Sequence, residues 1–540
     1  MPQGTEGGRR WSVVTIGAAG AGLLLLLLAA FAPWAAAAPG QAAGGRAAPR
    51  RAQMAAAAGA GRQAAVGGRG GGSLTVLESF LQWPAGLDPQ TDPQAMADAS
   101  LEDAIFGQLL ALGPHGRIVD DLASGARLSA GGRTLTIEVR RGVTFSDGAP
   151  FNAAAVAANL RADLGAACAC RPGWPVTSIT TPGTATVVVR LGHPDGAILD
   201  QLVGSIANWV VDPRALRSTG ASAYGQRPVG AGPFEVVSDV TNDKLVLRRN
   251  PRYWQAGHPY LSGLTFQTIA LPTQAIEDLR SGAGQALEAM GSPGLVRGFT
   301  SMGCTATLEP STSVLYVGLD VAAAPFDRAS ARRAVYAATD ATALDKVLNG
   351  GAVPVAETFT GPTGRFYEAR LPGYPTYDLA RAKRLVRRLG GLRFTLAVSP
   401  YIGRTLGAAL QSMYDEAGMH VTLSTSFGGG GGAFVGSLGS FDPAGPSGLQ
   451  RFAGVPVLGS LLARAGAATS TAARARAYAA AAAQFTKDGL GPFLYAPASW
   501  SIACDGACGP GLTTTLPVAA TNGPAIAWQD VSLRRSGRRR

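Results

Sequence analysis

The sequence predicts an α/β protein with two or more packed cores, and three observations carry that expectation. Its 540 residues are more than one hydrophobic core usually spans. Short runs that alternate apolar and polar residues with period two stand between runs with helical spacing. From Tyr377 onward a helix–strand–helix–strand order recurs, the pattern of a second α/β lobe. With 46% hydrophobic and 15% charged residues, the composition is globular or secreted in character rather than disordered.

The N-terminus reads as an export signal. Arg9-Arg10 is a charged start, Val13 to Ala38 is almost wholly apolar, and Ala36-Ala37-Ala38 supplies small residues of the kind found near cleavage sites. Residues 1–38 are therefore a signal peptide or an N-terminal membrane anchor. No Cys precedes Cys168, so a lipid-attachment cysteine is not expected, and the mature protein is either free or held by its first helix. Residues 39–73 are mostly Ala, Gly and Arg, a linker expected to be disordered. The net charge of +12 sits at the ends of the chain. Seven Arg against one Glu occupy residues 1–73, and Arg534, Arg535, Arg538, Arg539 and Arg540 close the basic tail of 531–540. The body between is nearly neutral, which argues against a nucleic-acid-binding face. The basic ends suit weak contact with anionic head groups of the cell membrane, at about 1 kcal/mol per basic residue.

The folded body is expected to start near Leu74. Leu74 to Leu77 is a short strand that leads to Trp83-Pro84. Leu101, Ile105, Leu109 and Leu112 give a helical spacing, and Leu135 to Arg140 alternates as a half-buried strand does. Ser146-Asp147-Gly148 is a turn, and Asn152 caps the helix that follows it. Gly230-Ala231-Gly232-Pro233 predicts a rigid turn, because Gly can take positive φ and Pro fixes φ. Phe234, Val236 and Val237 then pair, across the polar turn Thr241-Asn242-Asp243, with Leu245, Val246 and Leu247. Asp327 is expected to cap a helix whose apolar face is Ala334, Val335 and Ala338. Tyr377 to Val386 is an amphipathic helix closed by Gly390-Gly391, and Phe394, Leu396 and Val398 form the next strand.

Four of these stretches carry a resemblance. Pro228-Val229-Gly230-Ala231-Gly232-Pro233-Phe234 with Arg249-Asn250-Pro251 and Tyr253-Trp254 is one. Gly142 to Phe151 is the second, Pro325-Phe326-Asp327 with Arg332 to Asp340 the third, and Tyr377 to Val386 the fourth. In this order they resemble the peptide- and nickel-type extracellular solute-binding proteins, family 5, of ABC importers. The match covers roughly residues 74 to 425, with Ala231 where the family's usual form has Thr. The resemblance implies a two-lobed periplasmic-binding-protein-like fold of class II, the large peptide-binding type, with an additional subdomain in lobe one. Lobe one would span 74–312 with a subdomain at about 115–205. Lobe two would span 313–490, and 491–530 would return to lobe one. After Val421-Thr422-Leu423 the likeness thins. The family's Trp, Asp and Asp-Pro, which help line its ligand site, are met here by Phe427, the glycines 428–432, Phe434 and Asp442-Pro443.

The residues themselves point away from catalysis. His115, His193, His258 and His420 lie far apart, no pair has metal-ligand spacing, and no nucleophile or phosphate-loop motif is present. No metal, cofactor or catalytic residue is expected. Of the five cysteines, Cys504 and Cys508 are close enough to close a small loop around Gly506, the disulfide candidate. Cys168 and Cys170 are separated by one residue, and a zinc site is the alternative use of these cysteines. For the ligand site the candidates are Trp83, Trp209, Phe427, Phe434 and Asp442. The aromatics offer large contact area at low entropic cost, and Trp83 stands at a strand end that would face the opposing lobe. The expected function is the exported substrate-binding component of an ABC importer. It would take a peptide or other small solute and deliver it to the permease and ATPase complex at the membrane. The alternative is a degenerate receptor acting as a secreted interaction or chaperone-like protein, and less so a secreted enzyme.

Overall fold

The computed structural model describes residues 71–79, 83, 86–91, 99–113, 117–166, 172–269, 273–290, 293–399, 403–426, 432–438, 449–452, 454–509, 512, 516–517 and 524–533. The export segment, almost all of the linker and the Arg-rich end of the tail lie outside them, as do His115, Cys168, Cys170, Phe427 and Asp442.

Among the described residues the largest sheet has seven strands. Their order is Thr305–Pro310, Ala498–Ala503, Ala286–Met290, Ser73–Ser79, Gly263–Ile269, Lys244–Arg249 and Phe234–Val240. Ser73–Ser79 lies at its middle and is parallel to both neighbours, with Val76 opposite Phe266 on one side and Ala286 on the other. Leu74, Val76 and Leu77 are buried there, as the apolar run predicts for a central strand. The predicted hairpin is present: Phe234–Val240 pairs antiparallel with Lys244–Arg249, and Asn242 turns the chain at φ 61°.

The glycines before that hairpin are required for a reason other than the expected one. Neither Gly230 nor Gly232 has positive φ. Each lies against the end of the helix Ala99–Phe106, where an added Cβ would stand 2.2 Å from the Ile105 carbonyl oxygen at Gly230 and 2.6 Å from the Ile105 carbonyl carbon at Gly232. Gly232 N donates to Ile105 O at 2.9 Å, and Ser146 N donates to Gly230 O at 2.9 Å. The second half of the motif locks onto the first, because the buried Asn250 amide donates to Gly232 O at 2.9 Å. Close backbone approach, rather than turn geometry, therefore selects these glycines.

A smaller four-stranded sheet, in the order Ala123–Leu128, Thr134–Val139, Thr186–Leu191 and Val176–Thr180, is antiparallel throughout. Every second residue of Thr134–Val139 is buried, so the period-two reading holds. The helix Ala153–Gly165 packs on this sheet, and its cap is Asn152, whose side chain accepts from Ala155 N at 3.0 Å.

A second, mixed sheet runs Val314–Leu319, Ala433–Leu438, Leu392–Ala397 and Met419–Ser424. The helices Ala329–Ala338, Leu379–Arg388 and Arg404–Glu416 contribute to the core on one face, while Ala356, Phe359, Tyr478, Phe485 and Phe493 belong to the core on the other. Asp378 caps its helix by accepting from Arg381 N at 2.8 Å, and Gly390 and Gly391 both take positive φ after it. Asp327 does not cap: Arg328 holds the N-cap position, with no side-chain cap. The Asp327 carbonyl instead accepts from Arg332 at 3.0 Å.

The cysteine pairing also differs from expectation. Cys504 bonds Cys304, not Cys508, and Cys508 is free. Thr305 pairs with Ala503 in the large sheet, so Cys304 and Cys504 are the next residues outward, 4.4 Å apart at Cα. That is the close cross-strand spacing a disulfide needs. Both are buried among Leu77, Ile269, Leu287 and Ile502, a pairing that sequence spacing does not reveal.

Candidate functional site

The seven-stranded sheet and the mixed four-stranded sheet are joined by two chain crossings that lie side by side. The outgoing segment follows Thr305–Pro310 through Ser311, Thr312 and Ser313 into Val314–Leu319. The returning segment runs from Phe493 through Pro497 into Ala498–Ala503. Ser311 N donates to Pro497 O at 3.0 Å, Leu315 N to Tyr495 O at 3.0 Å, and Leu494 N to Leu315 O at 2.8 Å. A third segment steadies the pair: Gly361 N donates to Thr312 O at 2.8 Å, and a Cβ on Gly361 would stand 2.1 Å from Ser311 O. Thr312, Ser313, Thr358 and Thr360 are all buried here. Two paired strands that cross between rigid bodies form an axis about which the bodies rotate. The space flanked by such bodies is where a solute is enclosed.

Of the aromatics singled out for that space, Phe434 stays partly open. It lies on Ala433–Leu438, half-buried, with its ring edge-on to Tyr316 at 5.7 Å. Gly318 and Gly436 leave room for it, since a Cβ on Gly318 would stand 2.4 Å from the ring. Phe427 and Asp442 lie outside the described residues.

Trp83 and Trp209 correct the sequence expectation. Both belong to the core packed against the seven-stranded sheet, with exposures of 1% and 3%. The indole N–H of Trp83 donates to Asp239 at 2.8 Å, and its backbone N–H donates to the Asn242 side chain at 2.7 Å. Trp209 donates its indole N–H to Asp103 at 2.6 Å. An indole ring sealed on both faces, with its N–H satisfied inside the protein, offers nothing to a solute. These two tryptophans share one core, and Phe434 packs against another.

Beside Trp209 lie two carboxyl groups that pattern reading did not single out. Asp103 is half-buried, and burial pushes its carboxyl up to about 6 against the hydrogen bonds from Trp209 and Gln108. Asp121 is pushed up to about 7 by burial and by the Asp103 charge, with Arg140 pulling the other way. Arg140 also donates to the Asp121 carbonyl at 2.9 Å and lies 4.1 Å over the ring of Trp254. Both groups hold protons more tightly when folded than unfolded, where a carboxyl titrates near about 4. Stability is therefore greatest below about pH 4 for this pair and is lost as pH rises through 6 to 7. Partial exposure discounts the loss to roughly 1–3 kcal/mol. Urea unfolding at pH 5 and pH 8 measures it. Asp121→Asn should flatten the pH dependence, and an unchanged slope would show that other groups set it.

No group of three or more His, Cys, Asp and Glu side chains converges to hold a metal ion among the described residues.

Two lobes on a paired-strand hinge are the architecture of a solute-binding protein. The family model of bacterial extracellular solute-binding proteins, family 5, matches residues 117–437, more than half of the chain, and the chain belongs to that family. Its members bind solutes, and it is not a family of enzymes. The glutathione-binding protein GsiB of Salmonella choleraesuis (strain SC-B67) is 28% identical over 315 residues, which are 56% of this chain and 59% of that protein. The chain therefore matches about three-fifths of the length of its curated relatives. Among solved structures, the periplasmic binding protein DppA of Helicobacter pylori, in complex with the peptide STSA, superposes with a TM-score of 0.70. It is 18% identical, over 86% of this chain and 98% of that one. NikA of Brucella suis, in complex with Fe(III)-EDTA, also gives 0.70 at 18% identity, over 86% and 100%. These likenesses show the fold, two lobes of mixed α/β sheet.

Proposed function

We propose that this chain is the exported substrate-binding component of an ABC importer, enclosing a peptide or peptide-like solute between its lobes and presenting it to the permease. The observation that carries the reading is the paired crossing at Ser311–Ser313 and Tyr495–Pro497, which lets two preformed faces swing together. Family membership and the GsiB relatives support a short peptide such as glutathione over an oligosaccharide. NikA's chelate is a reminder that the same frame accepts other solutes. Phe434, with Tyr316 behind it, supplies an apolar face for a side chain of the solute. Phe427 and Asp442, in the neighbouring stretch of chain, are proposed to complete that face, Asp442 with charge for an amine. Residues 74–312 and 491–530 form the first lobe and 313–490 the second in this proposal. The N-terminal segment exports the chain and either leaves it free or holds it at the membrane.

A thermal-shift screen of the purified body with glutathione, dipeptides, tripeptides and metal chelates tests the reading. A solute at a hundred times its Kd should stabilise the fold by about 2.7 kcal/mol. The absence of any shift across the peptide set would overturn the peptide class.

A further inference from the structure

Away from the hinge, the small-sheet region of the first lobe touches the helices of the second around one buried acidic side chain. Asp200, on the helix Ile198–Val203, is 1% exposed. Arg365 Nη1 donates to its Oδ1 at 2.7 Å, and Arg474 Nη1 donates to its Oδ2. Arg474 lies in the first turn of the long helix Thr471–Asp488, is itself 3% exposed, lies 4.8 Å over the ring of Phe366, and donates to Gly196 O at 3.1 Å. Arg365 also donates to Thr471 Oγ1 at 3.0 Å. Asp195, buried next to this group, lies in the field of Arg474 and accepts from Ala197 N at 3.0 Å. Two guanidinium groups thus face two carboxyl groups across the contact.

The backbone at this contact is shaped for close approach. Gly196 N donates to Gly466 O at 2.7 Å, and a Cβ on Gly196 would stand 1.8 Å from the Ala468 carbonyl oxygen. Gly196 is outside the positive-φ region, so its own backbone does not require glycine. The segment 466–469 alone does.

We propose that Asp200, held by Arg365 and Arg474 and seated by Gly196, is the closure contact that sets the register in which the two lobes meet around the solute. The inference rests on the receptor reading, in which the lobes part and rejoin. A buried carboxylate is costly without partners and close to neutral with them. When the lobes part, all three groups regain water, so the cluster favours the closed arrangement without making closure irreversible. It does penalise every closed arrangement in which Asp200 misses its arginines, since a buried charge would then stand unpaired. That makes Asp200 a positioning residue, acting on solute retention through the geometry of closure.

Small-angle scattering of the full chain without solute, and stopped-flow release of glutathione followed by tryptophan fluorescence, test this for the wild type, Asp200→Asn and Gly196→Ala. Both variants should have a larger radius of gyration and release glutathione at least tenfold faster, while melting near the wild-type temperature. The methyl group added at Gly196 clashes only when the lobes meet. That variant therefore decides the matter if Asp200→Asn fails to fold. Variants as compact as the wild type with an unchanged release rate would overturn the proposal. So would a wild type already as expanded as the variants, or a Gly196→Ala chain that loses its fold. If glutathione does not bind the wild type, that solute is wrong, and the scattering comparison alone decides the closure contact.

Discussion

Truncating Trp83 to alanine should destabilise the protein by about 3–5 kcal/mol, the range for a large aromatic removed from a packed core. The side chain is 1% exposed and packs in the same core as Leu74, Phe106, Phe266 and Trp528. Its loss also withdraws the indole N–H from Asp239, whose carboxyl burial already raises and the Trp83 hydrogen bond lowers. Asp239 sits near the end of the strand Phe234–Val240. The hairpin next to the glycine motif should therefore loosen first. Urea unfolding followed by tryptophan fluorescence measures the cost. Solute affinity, extrapolated to folded protein, should be unchanged. A variant of wild-type stability with weakened binding would return Trp83 to the cleft and contradict its placement here.

Breaking the Cys304–Cys504 bond should cost about 2–5 kcal/mol, the range for removing a native disulfide. The two residues are 200 apart in sequence, so the bond closes a long loop and removes much freedom from the unfolded chain. Cys304→Ser and Cys504→Ser should each lower the urea midpoint by the same amount, and the double variant should lose no more than either. Non-reducing peptide mapping should recover the peptides of Cys304 and Cys504 joined, with Cys508 open to alkylation. Recovery of a Cys504–Cys508 peptide would reject the pairing.

Local chemistry was legible in the sequence, and distant pairing was not. The hairpin around Asn242, the Asn152 and Asp378 caps and the alternation of Thr134–Val139 follow from residues within a few positions of one another. The glycine pair at 230 and 232 was legible as a necessity, though its cause lies in Ile105 and Phe106, more than a hundred residues upstream. Asp327 shows the limit of a propensity: the adjacent Arg328 holds the cap position, and the helix starts without a side-chain cap. Trp83 and Trp209 failed as cleft residues for the same reason that Cys504 failed as a partner of Cys508. Their partners, Asp239, Asp103 and Cys304, lie 156, 106 and 200 positions away, and nothing in spacing announces them. Asp200 and its two arginines are likewise separated by 165 and 274 positions, and no local pattern marks them.

The place of Ala498–Ala503 in the large sheet has a consequence for biogenesis. That strand fills the gap between Ala286–Met290 and Thr305–Pro310, and it is antiparallel to both. A chain that emerges from a translocon N-terminus first presents those two strands long before their shared neighbour appears. Their bare edges are sticky surfaces in the interval. The second lobe, whose sheet strands all lie between residues 314 and 438, is complete in that respect while the first still waits for its last piece. Arrival of residues 498–504 zips the gap and brings the second thiol to Cys304 in the same event. In the proposed export, a quality-control step outside the membrane would therefore have one late moment to read, the oxidation of a cysteine whose partner is delivered by the final strand of the sheet.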